Sequence, residues 1–111
     1  MGRLVQASTE VISPIVPAWA EPVWHLFVIR SKHRDALQQH LASRGVGTVI
    51  HYPIPPHLQP AYAELACGVG AYPLAETIHR EVLSLPMGPT LATDDVRYVC
   101  EAITSFGRPS V

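Results

Sequence analysis

The strongest strand pattern in the chain runs from Val23 to Arg30 and reads V-W-H-L-F-V-I-R. Side chains that are β-branched or aromatic favour pleated sheet, and a run with little polar alternation is typical of a strand covered on both faces. We therefore predict a central strand here. A second strand is predicted from Val46 to Tyr52, where Pro53 ends it because proline has no N–H to donate to a neighbouring strand. Residues 83–86, L-S-L-P, predict a brief third strand closed by its proline.

A change to four-residue spacing of apolar side chains predicts the first clear helix, from Arg34 to Arg44. Leu37 and Leu41 fall on one face, as in an amphipathic helix packed on a core. Gly45 is a natural end for this helix because glycine adopts the left-handed conformation at little cost.

Two further helices are predicted where prolines open them, since the N–H that proline lacks has no partner in the first turn of a helix. Residues 60–66 predict a short helix. Pro73 opens a longer one, in which Leu74, Ile78 and Val82 recur at four-residue spacing.

The last helix is predicted to begin at Thr93, a good N-cap residue, and to end at Gly107. Asp94 and Asp95 fill its first turn, where carboxylates interact favourably with the helix dipole. Its buried stripe is predicted to comprise Val96, Val99, Cys100 and Ile103.

These elements predict an α/β or α+β fold, with about three strands and three or four helices packed on them. The chain of 111 residues fits one domain. Residues 1–22 contain three prolines and are expected to be an extended lead-in or the remnant of an interdomain segment, followed by the domain at 23–107 and a tail at 108–111. Because a helix separates the first two strands, a crossover and an antiparallel arrangement both remain open.

Composition narrows the classes of partner. The net charge is −1 and the basic run from Arg30 to Arg34 is short, so a nucleic-acid interface is not expected and the run is interpreted as a solvated turn. No segment approaches the roughly 18 consecutive apolar residues of a membrane helix. Cys67 and Cys100 lack a C-x-x-C spacing and a secretion signal, which favours reduced thiols in a cytoplasmic protein. With 48% apolar and 15% charged residues, the chain is either a compact Ala- and Pro-rich domain or one whose surface expects a partner.

The segment H-Y-P-I-P-P-H, from His51 to His57, is the most distinctive candidate site. Its prolines restrict the backbone, so a side chain positioned there loses little entropy on binding. Imidazoles donate or accept hydrogen bonds near neutral pH, and Tyr52 offers a ring and a hydroxyl. The alternative is that His51 is a satisfied core histidine and that Tyr52 and the prolines only pack.

The sequence contains no other recognised metal-binding, catalytic or nucleotide-binding motif. The six histidines are scattered without a metal-ligand spacing, and no nucleophile elbow, P-loop or dinucleotide fingerprint is present. Glu76 and Glu81 are expected to be solvated, and His40 and Arg44 to lie on a helix surface. The residues therefore predict neither a metal site nor a catalytic residue.

Three stretches resemble one family in the same order: V-W-H-L-F-V-I-R, then R-D-A-L-Q-Q-H-L-A-S-R-G-V-G-T-V-I-H-Y-P-I-P-P-H-L-Q-P-A-Y, then E-V-L-S-L-P-M-G-P. They are similar to the carboxy-terminal part of the DegT/DnrJ/StrS-type sugar aminotransferases, over about residues 10 to 107. Those enzymes use pyridoxal phosphate to convert a keto group on a nucleotide-linked sugar into an amine. The resemblance implies the small domain of a fold-type-I aminotransferase.

The resemblance also implies roles for individual residues. His51, Tyr52 and His57 would line the sugar-substrate side of the active site, and His25 would be structural. A larger amino-terminal domain would carry the cofactor and its Schiff-base lysine, and the small domain would add to dimer contacts. The one lysine of this chain, Lys32, does not match that lysine, so the chain alone is expected neither to bind pyridoxal phosphate productively nor to transaminate.

Three interpretations follow. The first is a fragment of an aminotransferase, from a truncated gene or a partial gene model. The second is a non-catalytic module of the same ancestry that binds a nucleotide sugar or a protein through the segment from His51 to His57. The third, a small independent enzyme that uses these histidines as acid and base, lacks a nucleophile, a metal constellation and a paired acid.

Overall fold

The computed structural model describes residues 11–88 and 91–106. Along the chain, β1 is Phe27–Arg30, α1 is Arg34–Ser43, α2 is Pro73–Glu81, β2 is Val82–Leu85 and α3 is Thr93–Ser105. Two short 3-10 turns, Pro56–Leu58 and Pro60–Leu65, lie between α1 and α2. The mixed helix and strand composition confirms the predicted fold class. The expected helix end at Gly107 and the tail at 108–111 lie outside the described residues.

The sheet is antiparallel. β1 pairs with β2 in a register that places Phe27 opposite Leu85. Single antiparallel bridges extend the pair on both sides, from Ile12 to Arg30 and from Val49 to Ser84. β1 is therefore central, as predicted, and the segment around Val49 lies beside β2 rather than beside β1.

Two predicted strands are longer in the sequence pattern than in the structure. β1 begins only at Phe27; Val23 is almost fully exposed and Trp24 packs its ring against Phe27 at 5.1 Å. The second predicted strand, residues 46–52, retains one bridge at Val49. Apolar composition indicated both strands, but a strand persists only where a neighbouring backbone satisfies its N–H and C=O groups.

The core lies where the sheet meets α1 and α3. Its five largest fully buried side chains come from four elements, so β1, α1, β2 and α3 pack around one shared core. These side chains are Ile29, Leu37, Leu41, Leu83 and Ile103.

The helices largely confirm the predictions. α1 buries Leu37 and Leu41 completely, and Gly45 follows it with φ +76°, in the left-handed region. In α3, Val99 and Ile103 are buried, but the N-cap position is Ala92 rather than Thr93. There the carboxylate of Asp95 accepts a hydrogen bond from the Ala92 N–H at 3.2 Å, so an acidic side chain satisfies the helix start from within the first turn.

The apolar stripe predicted for α2 is wrong at its first and last positions, because Val82 begins β2 instead of ending the helix. Leu74 is 68% exposed, whereas Glu76 is buried. Four-residue spacing identified the helix but not its inner face, because Pro73 starts α2 where Glu76 can accept a hydrogen bond from the turn at Gly70. The inner face of α2 is therefore occupied by the Glu76 carboxylate, whose burial is compensated by the hydrogen bond from Gly70, and not by Leu74.

The basic run before α1 is not a solvated turn throughout. Arg30 donates to the Glu81 carboxylate at 2.7 Å, so Glu81 is paired rather than solvated. Arg34 is buried, and its Nη1 donates to the backbone carbonyls of His79 at 3.0 Å and Val82 at 3.2 Å. These contacts join the start of α1 to the junction of α2 with β2. The periodicity of the sequence does not predict them, because the residues are 45 and 48 positions apart.

His40, expected on a helix surface, instead joins α1 to α3. Its Nε2 lies 2.9 Å from the carbonyl oxygen of Ala102 and 3.0 Å from the hydroxyl oxygen of Ser105. The Phe106 ring packs against the imidazole at 5.5 Å. The contact depends on how the two helices pack, which the local pattern around His40 does not encode.

Candidate functional site

A cavity of about 210 Å³ lies at the end of β2, between the segment that precedes β1 and the segment that follows α1. Its walls combine imidazole and hydroxyl groups with apolar side chains, a mixture typical of small-molecule sites. The residues that line it include His25, Leu26, Thr48, His51, Ser84 and Met87.

His51 is half-buried in this cavity and is held by β2. Its Nδ1 lies 2.8 Å from the hydroxyl oxygen of Ser84. The backbone supports the same contact, because Val49 and Ser84 exchange hydrogen bonds at 2.8 and 3.2 Å. His51, a predicted site residue, therefore lies in the cavity wall, and its hydrogen bond to Ser84 fixes the orientation of its ring.

Tyr52 is 63% exposed beside His51, and the two rings meet edge to face at 5.3 Å. Its carbonyl oxygen lies 2.6 Å from Nδ1 of His79, which ties the segment to α2. The peptide bond between His51 and Tyr52 is cis. The exposed phenol ring is thus available to a ligand while its backbone is anchored.

His57 lies away from the cavity, with only 8% of its side chain exposed. Its Nε2 is 3.4 Å from a carboxylate oxygen of Glu76, and the Tyr72 ring packs against the imidazole at 4.9 Å. His51 and His57, which stand at the two ends of the proline-rich segment, are therefore not brought into one site. His57 instead fixes that segment against α2.

Glu76, which the sequence suggested was solvated, is the centre of this anchor. The Gly70 N–H donates to both of its carboxylate oxygens at 3.0 Å. This backbone hydrogen bond is the main cause that lowers the pKa of Glu76, and the nearby His57 lowers it further against the opposing effect of burial. The left-handed backbone of Gly70, at φ +90°, is part of the turn that presents this N–H.

Two features missed by sequence reasoning belong to the cavity. The resemblance implies a structural His25 within a strand, but His25 precedes β1, is exposed and lines the cavity. Ser84 lies in the predicted brief strand, where a lone polar residue between Leu83 and Leu85 is itself a signal. A buried hydroxyl in an apolar strand requires a partner, and here the partner is His51.

Other chemistry is limited. Cys100 is buried in the core, and burial raises the pKa of its thiol, so it is not an activated nucleophile. Within residues 11–88 and 91–106, no group of three or more His, Cys, Asp or Glu side chains is arranged to hold a metal ion. Nor do these described residues contain a helix with the length and hydropathy of a membrane span.

Comparison with known proteins identifies the family. Residues 2–104 match the sequence model of the DegT/DnrJ/EryC1/StrS aminotransferase family. The chain belongs to this family. The resemblance seen in the strand, loop and L-S-L-P-M segments is thereby confirmed over nearly the whole chain.

Individual relatives agree with this assignment. The family member is 51% identical, over 78% of its length, to the erythromycin biosynthesis sensory transduction protein EryC1 of Saccharopolyspora erythraea. It is 47% identical, over 84% of its length, to dTDP-3-amino-3,4,6-trideoxy-alpha-D-glucose transaminase of Streptomyces venezuelae. It spans 24% of the length of each of these relatives.

The fold agrees as well. The crystal structure of S. venezuelae DesV in complex with a ketimine intermediate superposes with a TM-score of 0.91 at 39% identity, covering 97% of this family member and 29% of DesV. The two strands, three helices and intervening turns are therefore a segment of the aminotransferase fold. The remaining part of that fold has no counterpart in these 111 residues.

Pyridoxal phosphate is the cofactor of the full-length members of this family. Imine formation needs a lysine amine held in a pocket. Lys32, the one lysine in the sequence, is exposed in the turn before α1 and does not line the cavity. Lys32 is therefore not placed to form an imine at this cavity.

Proposed function

We propose that this chain forms the small-domain side of the active site of a pyridoxal-phosphate-dependent sugar aminotransferase, which transfers an amino group to a nucleotide-linked ketosugar. The observation that carries the proposal is the cavity at the end of β2, where the family segment from residue 49 to residue 57 presents a fixed imidazole. The named activity of the S. venezuelae relative, a dTDP-sugar transaminase, supports the substrate class. The cofactor and its lysine would be supplied by the rest of such an enzyme.

Within this proposal, His51 and Tyr52 contact the sugar, since one lines the cavity and the other is exposed beside it. His57 does not line the cavity; its ring is buried against Glu76, where it holds the segment that carries His51 and Tyr52. No residue of this chain is assigned the amino-transfer chemistry itself. The chain alone is expected to be inactive.

The exposed apolar side chains before β1 support the proposal that another domain or subunit covers this surface. Between residues 12 and 26, seven large hydrophobic residues are exposed, among them Trp19 at 88%. Such a concentration is unusual for a free surface. Since the chain spans only about a quarter of its relatives, the remaining aminotransferase domain or a second subunit is the partner we propose for this surface.

A chimera tests the proposal. The full chain would replace its matching segment in the S. venezuelae transaminase, and transamination of a dTDP-ketosugar would be measured. We expect an active chimera in which His51→Ala lowers kcat/KM by about threefold to tenfold, the effect of one lost neutral hydrogen bond. Arg97→Ala, on the exposed surface of α3, is the control and should change little. A chimera that loads the cofactor but does not transaminate contradicts the proposal.

A second candidate function is a non-catalytic module that binds a nucleotide sugar. Such a module would use the same cavity at His51 without amino transfer, since Lys32, the one lysine of the sequence, is exposed away from that cavity. Titration of the isolated chain with dTDP-α-D-glucose separates the two candidates. Saturable binding that is lost in His51→Ala, together with an inactive chimera, supports the module.

A further inference from the structure

Ser84 faces the same cavity as His51 and contacts it directly. Ser84 is only 5% exposed, and its hydroxyl oxygen lies 2.8 Å from His51 Nδ1. Its backbone N–H and C=O are both used in the bridge to Val49. β2 thus holds two residues of the neighbouring segment, one through the backbone and one through the hydroxyl.

The hydrogen bond between Ser84 and His51 determines which ring nitrogen of the neutral His51 carries the proton. A serine hydroxyl has one hydrogen to donate, and leaving it without an acceptor in a buried position is costly. Among the described residues, the acceptor within hydrogen-bond distance of the Ser84 hydroxyl is His51 Nδ1. When the hydroxyl donates to Nδ1, the neutral imidazole carries its proton on Nε2.

His51 Nε2 is left available by this arrangement. Within the described part of the chain it has no hydrogen-bond partner, and unlike His57 Nε2 it is not buried. A free N–H donor at a cavity wall suits an oxygen acceptor of a ligand. The residues that line the cavity include neither lysine nor arginine, so the acceptor that fits is a neutral carbonyl or hydroxyl oxygen rather than a phosphate.

We propose that Ser84 is a positioning residue that sets His51 as an Nε2–H donor toward a carbonyl or hydroxyl oxygen of the sugar ring. The proposal rests on the proposed function for the identity of the ligand, but the proton position is a property of the chain itself. The diphosphate of the substrate would be bound elsewhere in the enzyme.

Nitrogen-15 spectra of the histidine rings test the proton position in the full chain. At about pH 8.5, where free imidazoles are neutral, we expect His51 to show a single tautomer protonated on Nε2. Ser84→Ala should lose this pattern and give a mixture of tautomers, and Ser84→Thr should retain it. Ser105→Ala removes a hydroxyl that contacts His40 instead, so it is the matched control and should leave the His51 signals unchanged.

Two results overturn the proposal: a proton on Nδ1 in the unmodified chain, or an unchanged tautomer in Ser84→Ala with a native amide spectrum. If Ser84→Ala does not fold, the unmodified chain and Ser84→Thr still decide the question. His51→Gln assigns the signals.

Kinetics of the chimera test the role toward the ligand. Ser84→Ala should raise KM by about threefold to tenfold with little change in kcat, because one hydrogen bond to bound substrate is weakened. The double variant with His51→Ala should show no further loss, since Ser84 acts through His51. Additive losses overturn the proposal. An inactive chimera whose His51 carries its proton on Nε2 refutes the proposed function alone, whereas an active chimera with the proton on Nδ1 refutes the positioning role alone.

Discussion

The carboxylate of Glu76 lies 3.4 Å from Nε2 of His57, with more than nine-tenths of each side chain buried. The pair joins the first 3-10 turn to α2, and Gly70 completes it from the intervening turn. It holds the proline-rich segment in place without entering the cavity. A contact made by residues 19 positions apart in sequence thus supports the wall that presents His51.

The anchor predicts a specific pH dependence of stability. The folded-state pKa of Glu76 is lowered, chiefly by the Gly70 N–H, so the unfolded chain binds a proton more readily than the folded one. The stabilising contribution is therefore complete above the unfolded-state pKa and is lost as the pH falls through the folded-state pKa. Urea unfolding of the chain and of Glu76→Gln, from about pH 7 to about pH 3, should show a difference in midpoint that shrinks as the pH falls. A difference that is constant or grows on acidification contradicts the assignment.

Two leucines that the sequence pattern treats alike should differ in their effect on stability. Leu41→Ala removes a fully buried side chain and should cost about 2–5 kcal/mol in the free energy of unfolding. Leu74→Ala, in α2, removes a mostly exposed one and should change stability by less than about 0.5 kcal/mol. Equal losses in urea unfolding would show that α2 packs on its leucine rather than on Glu76.

Arg34 should be more important for stability than its place in a basic run suggests. Arg34→Ala leaves the buried carbonyl of Val82 and the part-buried carbonyl of His79 without this donor, at a cost of about 1–3 kcal/mol for the buried group and less for the other. Arg34→Lys keeps the charge but lacks the guanidinium geometry and should recover only part of the loss. Arg97→Ala, at an exposed position of α3, is the control. Thermal unfolding that ranks the three variants otherwise would contradict the structure.

Alanine substitutions at Gly45 and Gly47 distinguish the effect of backbone strain from that of steric crowding. A Cβ added at either position meets nothing within 4 Å, but only Gly45 has a positive φ, at +76°. Gly45→Ala should therefore destabilise the fold by about 1–2 kcal/mol. Gly47→Ala should be neutral or slightly stabilising, because it restricts the unfolded chain without strain. Urea midpoints of the two variants check this, and a larger loss at Gly47 would be inconsistent with the described backbone.

The sequence by itself determined the local elements of this protein and its family. Four-residue spacing located α1, α2 and α3, proline closed β2, and Gly45 ended α1 in the left-handed conformation, because these signals depend on neighbouring residues alone. The family resemblance rests on three stretches in the same order, and the segment from residue 49 to residue 57 lies within one of them.

Only the tertiary structure decided which polar groups meet. The contacts of Ser84 with His51, of His57 with Glu76 and of Arg34 with the junction of α2 and β2 join residues 19 to 48 positions apart. The physical reason is that a buried polar group must find a partner in space. That requirement is visible in one residue, but the identity of the partner follows from the packing of the whole chain.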